Sequence, residues 1–110
     1  MTATAGPPGY IVAEITVSDA ETYDEYVERS GTVLEKYGAR LLVHAFSADG
    51  GVIVKEGGRT FERLVVVEFE SLDRVAEFYH SEDYQQVVGL RHSSADSHVY
   101  HATGVPSEGA

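Results

Sequence analysis

The chain has 110 residues, of which 43% are hydrophobic and 24% charged, so its composition is that of one folded domain. Its formal net charge is −10, which disfavours nucleic acid and anionic membrane surfaces as partners. It contains no cysteine, and this excludes disulfides, thiol catalysis and cysteine-ligated metal centres. No apolar run has the length of a membrane span, and no export signal is visible, so we expect a cytoplasmic protein.

Three segments are predicted from composition and periodicity. Residues 1–9 are small and rich in proline and glycine, which is typical of a loose leader. Residues 10–105 form the folded domain, and residues 106–110 are predicted to be a flexible tail.

The domain begins with a strand and a helix. Apolar side chains alternate over residues 10–17, which predicts a strand with one buried face. Ser18 and Glu21 have the spacing of a capping box, so a helix is predicted to start there. Apolar residues at three- and four-residue steps continue it as far as Gly38, which suits the left-handed position after a helix end.

Two further strands follow. Residues 40–46 are predicted to form the second strand, and residues 52–55 are a candidate continuation of it beyond a bulge or loop. Residues 63–69 have the strongest strand pattern in the chain.

The last third of the domain is predicted to contain two helices and a strand. Ser71 caps a second helix, and Ser81 begins a shorter one that runs through Tyr84, Val87 and Val88. Residues 98–102 form the final strand. The order β-α-β-β-α-β predicts an α+β, ferredoxin-like fold with an antiparallel four-stranded sheet.

A sheet with both helices on one face leaves its other face uncovered. That face would carry apolar side chains too numerous to leave in water: Tyr10, Val12, Leu42, Phe46, Leu64 and Val66. We therefore expect a homodimer in which two sheets pair through these faces and enclose a cavity, the alternative being a monomer with a modest apolar patch.

Five segments resemble a widespread bacterial family: residues 9–13, 23–27, 36–43, 63–72 and 78–85. They are similar to domain-of-unknown-function family thirteen-thirty, within the dimeric α/β-barrel superfamily. The resemblance implies a ferredoxin-like fold and a barrel-forming dimer, but no particular reaction. The wider superfamily includes cofactor-free monooxygenases, polyketide cyclases, isomerases, haem-acting enzymes and non-enzymatic sensors.

The chain departs from the family pattern at two strands. It has His44-Ala45-Phe46 where the family typically has Arg-Gly-Gly, and its last strand carries His98 and His101 where the family is usually aliphatic. These changes predict a specialised pocket.

Strand alternation predicts which side chains face the dimer cavity. The candidate catalytic residues are Glu14, Arg40, His44 and Glu68. The candidate substrate-binding residues are Tyr10, Phe46, Leu42, Val66, His98, Tyr100 and His101. Alternation leaves open whether His98 or His101 faces the cavity.

These residue types can perform acid–base chemistry. An imidazole can shuttle a proton near neutral pH, and a carboxylate in apolar surroundings can act as an acid or a base. Arg40 could hold an enolate or a substrate carboxylate. The alternative is that Arg40 forms a structural ion pair with Glu14 or Glu68. His80, between two helices, is expected to cap a helix rather than to catalyse.

The sequence therefore predicts an enzyme that needs no cofactor and acts on a hydrophobic, polyketide-like carbonyl compound by acid–base cyclisation, isomerisation or elimination. A cofactor-free monooxygenase is one alternative, and a non-catalytic, small-molecule-binding or stress-related dimer is another. No metal is expected, although His44 with Glu14 or Glu68 is a candidate His/carboxylate site.

Overall fold

The computed structural model describes residues 6–106. The predictions for residues 1–5 and 107–110 lie outside the described residues. The elements follow in chain order: β1 (Gly9–Val17), α1 (Ala20–Lys36), β2 (Arg40–Phe46), β3 (Arg63–Phe69), α2 (Leu72–His80), α3 (Glu82–Gln85), α4 (Val88–Ser94) and β4 (Ala95–Thr103).

The four strands form one antiparallel sheet in the order β2-β3-β1-β4. The central strands β1 and β3 come from opposite halves of the chain, which is the ferredoxin-like arrangement that the element order predicts. The predicted fold class is therefore confirmed. Within residues 6–106, no helix combines the length and the apolar character needed to cross a bilayer.

Helix α1 begins one residue later than the capping-box spacing predicts. The carboxylate of Asp19, not the hydroxyl of Ser18, accepts the hydrogen bond from the backbone N–H of Thr22, at 3.2 Å. The Ser18 hydroxyl instead donates to the carbonyl oxygen of Ser94, at 3.0 Å. The predicted cap is thus wrong, because the serine is used to hold the end of α4.

Residues 52–55 do not continue β2, which contradicts that candidate strand. The backbone N–H of Gly51 bonds to the carbonyl oxygen of Phe46 at 2.9 Å, and Gly50 adopts a left-handed φ of 80°. This turn carries the chain away from β3. Strand β4 is longer than predicted, because it pairs with β1 from Ala95 to Thr103.

The core lies between the sheet and the helices. Phe69, Val75 and Phe78 are almost fully buried there, and Val67 joins the same cluster. A second cluster under the start of α1 contains Ala13, Ile15 and Tyr23. We call this side of the sheet the helix face and the opposite side the outer face.

Candidate functional site

Strand register identifies the residues that share the outer face. Tyr10 pairs with Glu68, Val12 with Val66, and Glu14 with Leu64 across β1 and β3. On the other side of β1, His98 pairs with Glu14 and Tyr100 with Val12, which places both on the outer face. On β2, Arg40 pairs with Glu68 and joins this face.

One polar cluster on the outer face is centred on Glu68. The Tyr10 hydroxyl donates to Glu68 Oε2 at 3.1 Å, and Arg40 Nη2 donates to Glu68 Oε1 at 2.7 Å. Both carboxylate oxygens of Glu68 therefore accept a hydrogen bond. This geometry matches the structural ion pair that the sequence left open as the alternative to catalysis.

A second polar cluster ties the long connection between β2 and β3 to the outer face. Arg59 Nε lies 3.1 Å from Glu14 Oε1, and its Nη2 donates to the Tyr100 hydroxyl at 3.3 Å. Connections longer than about 12–15 residues are uncommon in compact domains and usually have a role. Here Arg59 forms an ion pair with the carboxylate that the sequence predicts to be catalytic, although Glu14 Oε1 accepts no hydrogen bond within residues 6–106.

His44 and Phe46 do not lie on the outer face, and that part of the prediction is wrong. A β-bulge between Leu41 and Val43 leaves Leu42 without a register partner, so alternation changes sides after it. His44 consequently pairs with Val65 and Phe46 with Arg63, both on the helix face. The Arg63 guanidinium confirms this side, because it lies 4.5 Å from the centre of the Phe46 ring and 4.9 Å from that of Tyr23.

His101 also lies on the helix face, since it pairs with the core-facing residue Ile11. This settles the register of the last strand: His98 faces outward and His101 faces the helices. The structure thus separates the predicted site. Glu14, Arg40 and Glu68 share one side of the sheet with Tyr10, Val66, His98 and Tyr100, while His44, Phe46 and His101 are on the other.

The helix face borders a cavity of about 420 Å³ between the sheet and the helices, and this cavity is partly open to solvent. Most of its wall is apolar, including Ile11, Ala13, Leu34, Val65, Val67 and Phe78. Its polar side chains include Tyr26, His44, Tyr84, Arg91 and His101. Further polar side chains also line it: Tyr23, Ser30, Glu35 and Tyr79. A mainly apolar cavity with a few polar groups is typical of a small-molecule site.

Three of these polar groups lie together. The hydroxyls of Tyr26 and Tyr84 are 2.6 Å apart, so one donates a hydrogen bond to the other. The Arg91 guanidinium carbon lies 5.8 Å from the centre of the Tyr26 ring, and Arg91 is only 6% exposed. Arg91 Nη1 donates to the hydroxyl of Ser97 at 2.6 Å.

The environment controls the charge of this group. Burial, followed by the proximity of Tyr26, raises the pKa of Tyr84 far above its ordinary value, so its phenol remains protonated. Burial lowers the pKa of Arg91, but the Tyr84 and Tyr26 hydroxyls raise it by more, so the guanidinium remains charged. This part of the wall therefore combines the Arg91 cation with the protonated phenol of Tyr84.

Two imidazoles line other parts of the cavity. His44 is exposed and stacks against Phe46, with ring centres 5.0 Å apart. His101 contacts the ring of Tyr79 at 5.1 Å. Partial burial of this imidazole, followed by the nearby His80, lowers the pKa of His101, which favours its neutral, proton-accepting form at pH 7.

Sequence reasoning missed Tyr26, Tyr84 and Arg91 as site residues. Both tyrosines lie on apolar helical stripes, a position that is more typical of core residues than of catalytic ones. Arg91 follows the buried residues Val87 and Val88 by four and three positions, so all three lie on one side of the chain. An arginine on a buried stripe is the signal that could have identified it.

No group of three or more histidine, aspartate or glutamate side chains in the described part of the chain is arranged to hold a metal ion. The candidate site of His44 with Glu14 or Glu68 is not formed, because these residues lie on opposite faces of the sheet.

The fold is a ferredoxin-like α+β domain, and comparison with known proteins assigns the family. The chain belongs to the family described as a domain of unknown function (DUF1330), whose model matches residues 8–105. A search among curated proteins finds no match.

Solved structures with the same fold come from several bacteria. A protein of unknown function from Rhodopseudomonas palustris aligns with a TM-score of 0.74 and 17% identity, over 94% of this chain and 87% of that one. SnoaB from Streptomyces nogalater, a cofactor-independent oxygenase, aligns with a TM-score of 0.63 and 8% identity, over 94% of this chain and 99% of that one. A dimeric protein of unknown function from Bacteroides fragilis aligns with a TM-score of 0.56 and 12% identity, over 92% and 99% of the two chains.

Proposed function

We propose that the protein is an enzyme that needs no cofactor and acts by acid–base chemistry on a hydrophobic, polyketide-like carbonyl compound. The site is the helix-face cavity of each protomer, not a cavity between two sheets. The observation that carries the proposal is the apolar cavity of about 420 Å³ whose wall presents two imidazoles and a buried arginine. An apolar wall selects a hydrophobic ligand, and the polar groups give it an orientation.

The chemistry begins with proton transfer from a carbon next to the carbonyl to an imidazole nitrogen. His101 is suited to be the base, because the lowered pKa keeps it neutral at pH 7. His44, on the opposite part of the cavity, is the second candidate. In an isomerisation the proton returns to a different carbon of the enolate. In an elimination it leaves with the departing group, so neither route needs an oxidant.

Glu14, Arg40 and Glu68 have a different role in this proposal. They join side chains of the outer face to one another and to Arg59. We infer that the protein is a homodimer, in which these residues lie at the interface between two outer faces. The half-buried side chains of Val12, Leu64 and Val66 favour such pairing, as does the dimeric relative from Bacteroides fragilis.

The second candidate function is cofactor-independent oxygenation, which the similarity to SnoaB favours. In that reaction the substrate carbanion would give its electrons to dioxygen, and the carbon would be oxidised. Both functions require the same first proton transfer, and oxygen consumption distinguishes them.

Deuterium exchange tests the proposal without knowledge of the natural substrate. The bicyclic ketone 2-tetralone is incubated in D₂O with the protein, and loss of its α-proton signals is followed by NMR. We expect exchange faster than in buffer of the same composition, and slower exchange with His101→Gln. His92→Gln is the matched control, since His92 is exposed and does not line the cavity.

Two results would contradict the proposal. Exchange no faster than in buffer would indicate a binding module without catalysis. If His92→Gln and His101→Gln reduced the exchange rate equally, the exchange would occur outside the cavity. An oxygen electrode in the same experiment reports whether dioxygen is consumed.

A further inference from the structure

We propose that Arg91, together with the hydroxyls of Tyr26 and Tyr84, is a binding site for an anionic oxygen of the ligand, so that the protein selects hydrophobic molecules bearing a carboxylate or an enolate. This inference rests on the proposed function, because it assumes that the cavity holds a hydrophobic ligand. It adds the chemical class of that ligand and the residues that recognise it.

The first observation is a buried charge without an opposite charge. Arg91 is 6% exposed, and within residues 6–106 no carboxylate lies within ion-pair distance of it. Its side chain donates to Ser97 and lies beside the hydroxyls of Tyr84 and Tyr26, but a guanidinium carries five N–H donors, and none of these three partners is a carboxylate. Buried charges in proteins are normally paired, because an unpaired one is costly. A ligand anion in the cavity that Arg91 lines would supply the missing partner.

The second observation concerns the two tyrosine hydroxyls beside it. Each has one proton, and the contact of 2.6 Å between them uses only one of the two. The other proton has no acceptor in the part of the chain that the structure describes, and it belongs to a group that lines the cavity. A ligand oxygen near Arg91 could accept it. The raised pKa of Tyr84 keeps its phenol neutral, so this group can donate a hydrogen bond to an anionic oxygen and does not repel it.

The surrounding wall makes this site selective. Phe78 and Val99 line the same cavity, and the apolar surroundings strengthen an interaction between opposite charges. The protein as a whole carries a net charge of −10, which repels anions. A preference for an anionic ligand would therefore come from the local site and not from the overall charge.

Matched ligands and matched variants test the inference. The ligands are 2-naphthoate and 2-naphthamide, which have the same ring system. They differ in charge at pH 7.5, because a carboxylic acid ionises at about pH 4 and an amide stays neutral. Binding of each is measured by titration calorimetry at pH 7.5 and 0.15 M salt. The variants are Arg91→Met and Tyr84→Phe. The control is Arg74→Met, since Arg74 stacks on Tyr37 and does not line the cavity.

We expect wild type and Arg74→Met to bind 2-naphthoate more tightly than 2-naphthamide by about tenfold or more. Arg91→Met should reduce this ratio to about one, and Tyr84→Phe should reduce it by a smaller factor. A purely structural arginine would affect both ligands equally. If circular dichroism shows that Arg91→Met does not fold, Tyr84→Phe decides, and an unchanged ratio in that variant overturns the inference.

The remaining outcomes separate the two proposals. Equal affinity of wild type for the two ligands would overturn the anion site and leave the proposed function standing. Binding of neither ligand would overturn both, because the cavity would then not accept a hydrophobic molecule. If Arg74→Met lost the preference for 2-naphthoate as fully as Arg91→Met does, the preference would come from surface charge, and the anion site would be overturned.

Discussion

Removal of the Tyr84 hydroxyl should change how the stability of the protein depends on alkaline pH. Tyr84 is 4% exposed, and its pKa is raised by burial and then by Tyr26. In the unfolded chain a tyrosine ionises near pH 10, so above that pH the unfolded state loses a proton that the folded state retains. The unfolded state is thereby favoured, and the free energy of unfolding falls as the pH rises.

The size of the effect follows from linkage. One such group lowers the free energy of unfolding by about 1.4 kcal/mol at pH 11 and by about 1.4 kcal/mol for each further pH unit. At neutral pH Tyr84→Phe should instead be the less stable protein, by about 1 kcal/mol, since it loses the hydrogen bond to Tyr26. The stabilities of wild type and variant should therefore converge and cross about 0.6–0.7 pH unit above the ordinary pKa of tyrosine, before pH 11 is reached.

Urea denaturation between pH 8 and pH 11.5 measures this crossing. Tyr37→Phe is the matched control, because Tyr37 does not line the cavity and its hydroxyl makes no hydrogen bond within residues 6–106. If wild type and Tyr84→Phe kept the same difference at every pH, the Tyr84 hydroxyl would be in contact with water in the folded protein. The apolar wall around the anion site would then be refuted.

Three further predictions concern other parts of the molecule. Gly9→Ala should destabilise the protein by about 1–3 kcal/mol, because a Cβ there would collide with the backbone of Ser71 and Leu72. Gly31→Ala should instead stabilise it by about 0.5–1 kcal/mol, because Gly31 lies within α1 with open space around it. Equal shifts of the two variants in thermal unfolding would contradict this. Val66→Lys should convert the proposed dimer to a monomer in analytical ultracentrifugation, whereas Thr32→Lys on α1 should leave the dimer intact. A dimer unchanged by Val66→Lys would place the interface elsewhere. The pKa of His101 is lowered in the fold, so its contribution to stability is complete above the unfolded pKa of about 6.5 and is lost as the pH falls from there through the lower folded pKa. His101→Gln should therefore weaken the fall in the urea midpoint between pH 7 and pH 5, and identical falls in the two proteins would refute this.

Local patterns were sufficient to predict the four strands, helices α1 and α2 and the start of α3, but not the separate helix α4. In β1 and β3 the polar residues Tyr10, Glu14 and Glu68 fall on one side of each strand, so the period-two pattern places Ile11 and Val67 toward the helices, as the structure has them. The helix starts at Ser71 and Ser81 were also predicted, because a hydroxyl that accepts a backbone hydrogen bond is a local feature.

The structure places the predicted site residues on two faces of the sheet, because the alternation of side chains in β2 does not reveal the β-bulge. One extra residue at Leu42 moves His44 and Phe46 to the other side of the sheet, and no glycine marks the position. The cavity was not predicted either, since its wall is assembled from the sheet and all four helices. Arg91 and Tyr26 are far apart in the chain and meet only through the packing of α4 against α1.

The most direct measurement locates a bound ligand on one face of the sheet. Neighbouring valines of β1, β3 and β4 point to opposite sides, with Val65, Val67 and Val99 lining the cavity and Val12 and Val66 on the outer face. Intermolecular NOEs between 2-tetralone and methyl-labelled protein therefore distinguish the two locations. We predict NOEs to Val65, Val67 and Val99. NOEs confined to Val12 and Val66 would place the ligand between two sheets and contradict the assignment of the functional site to the helix face.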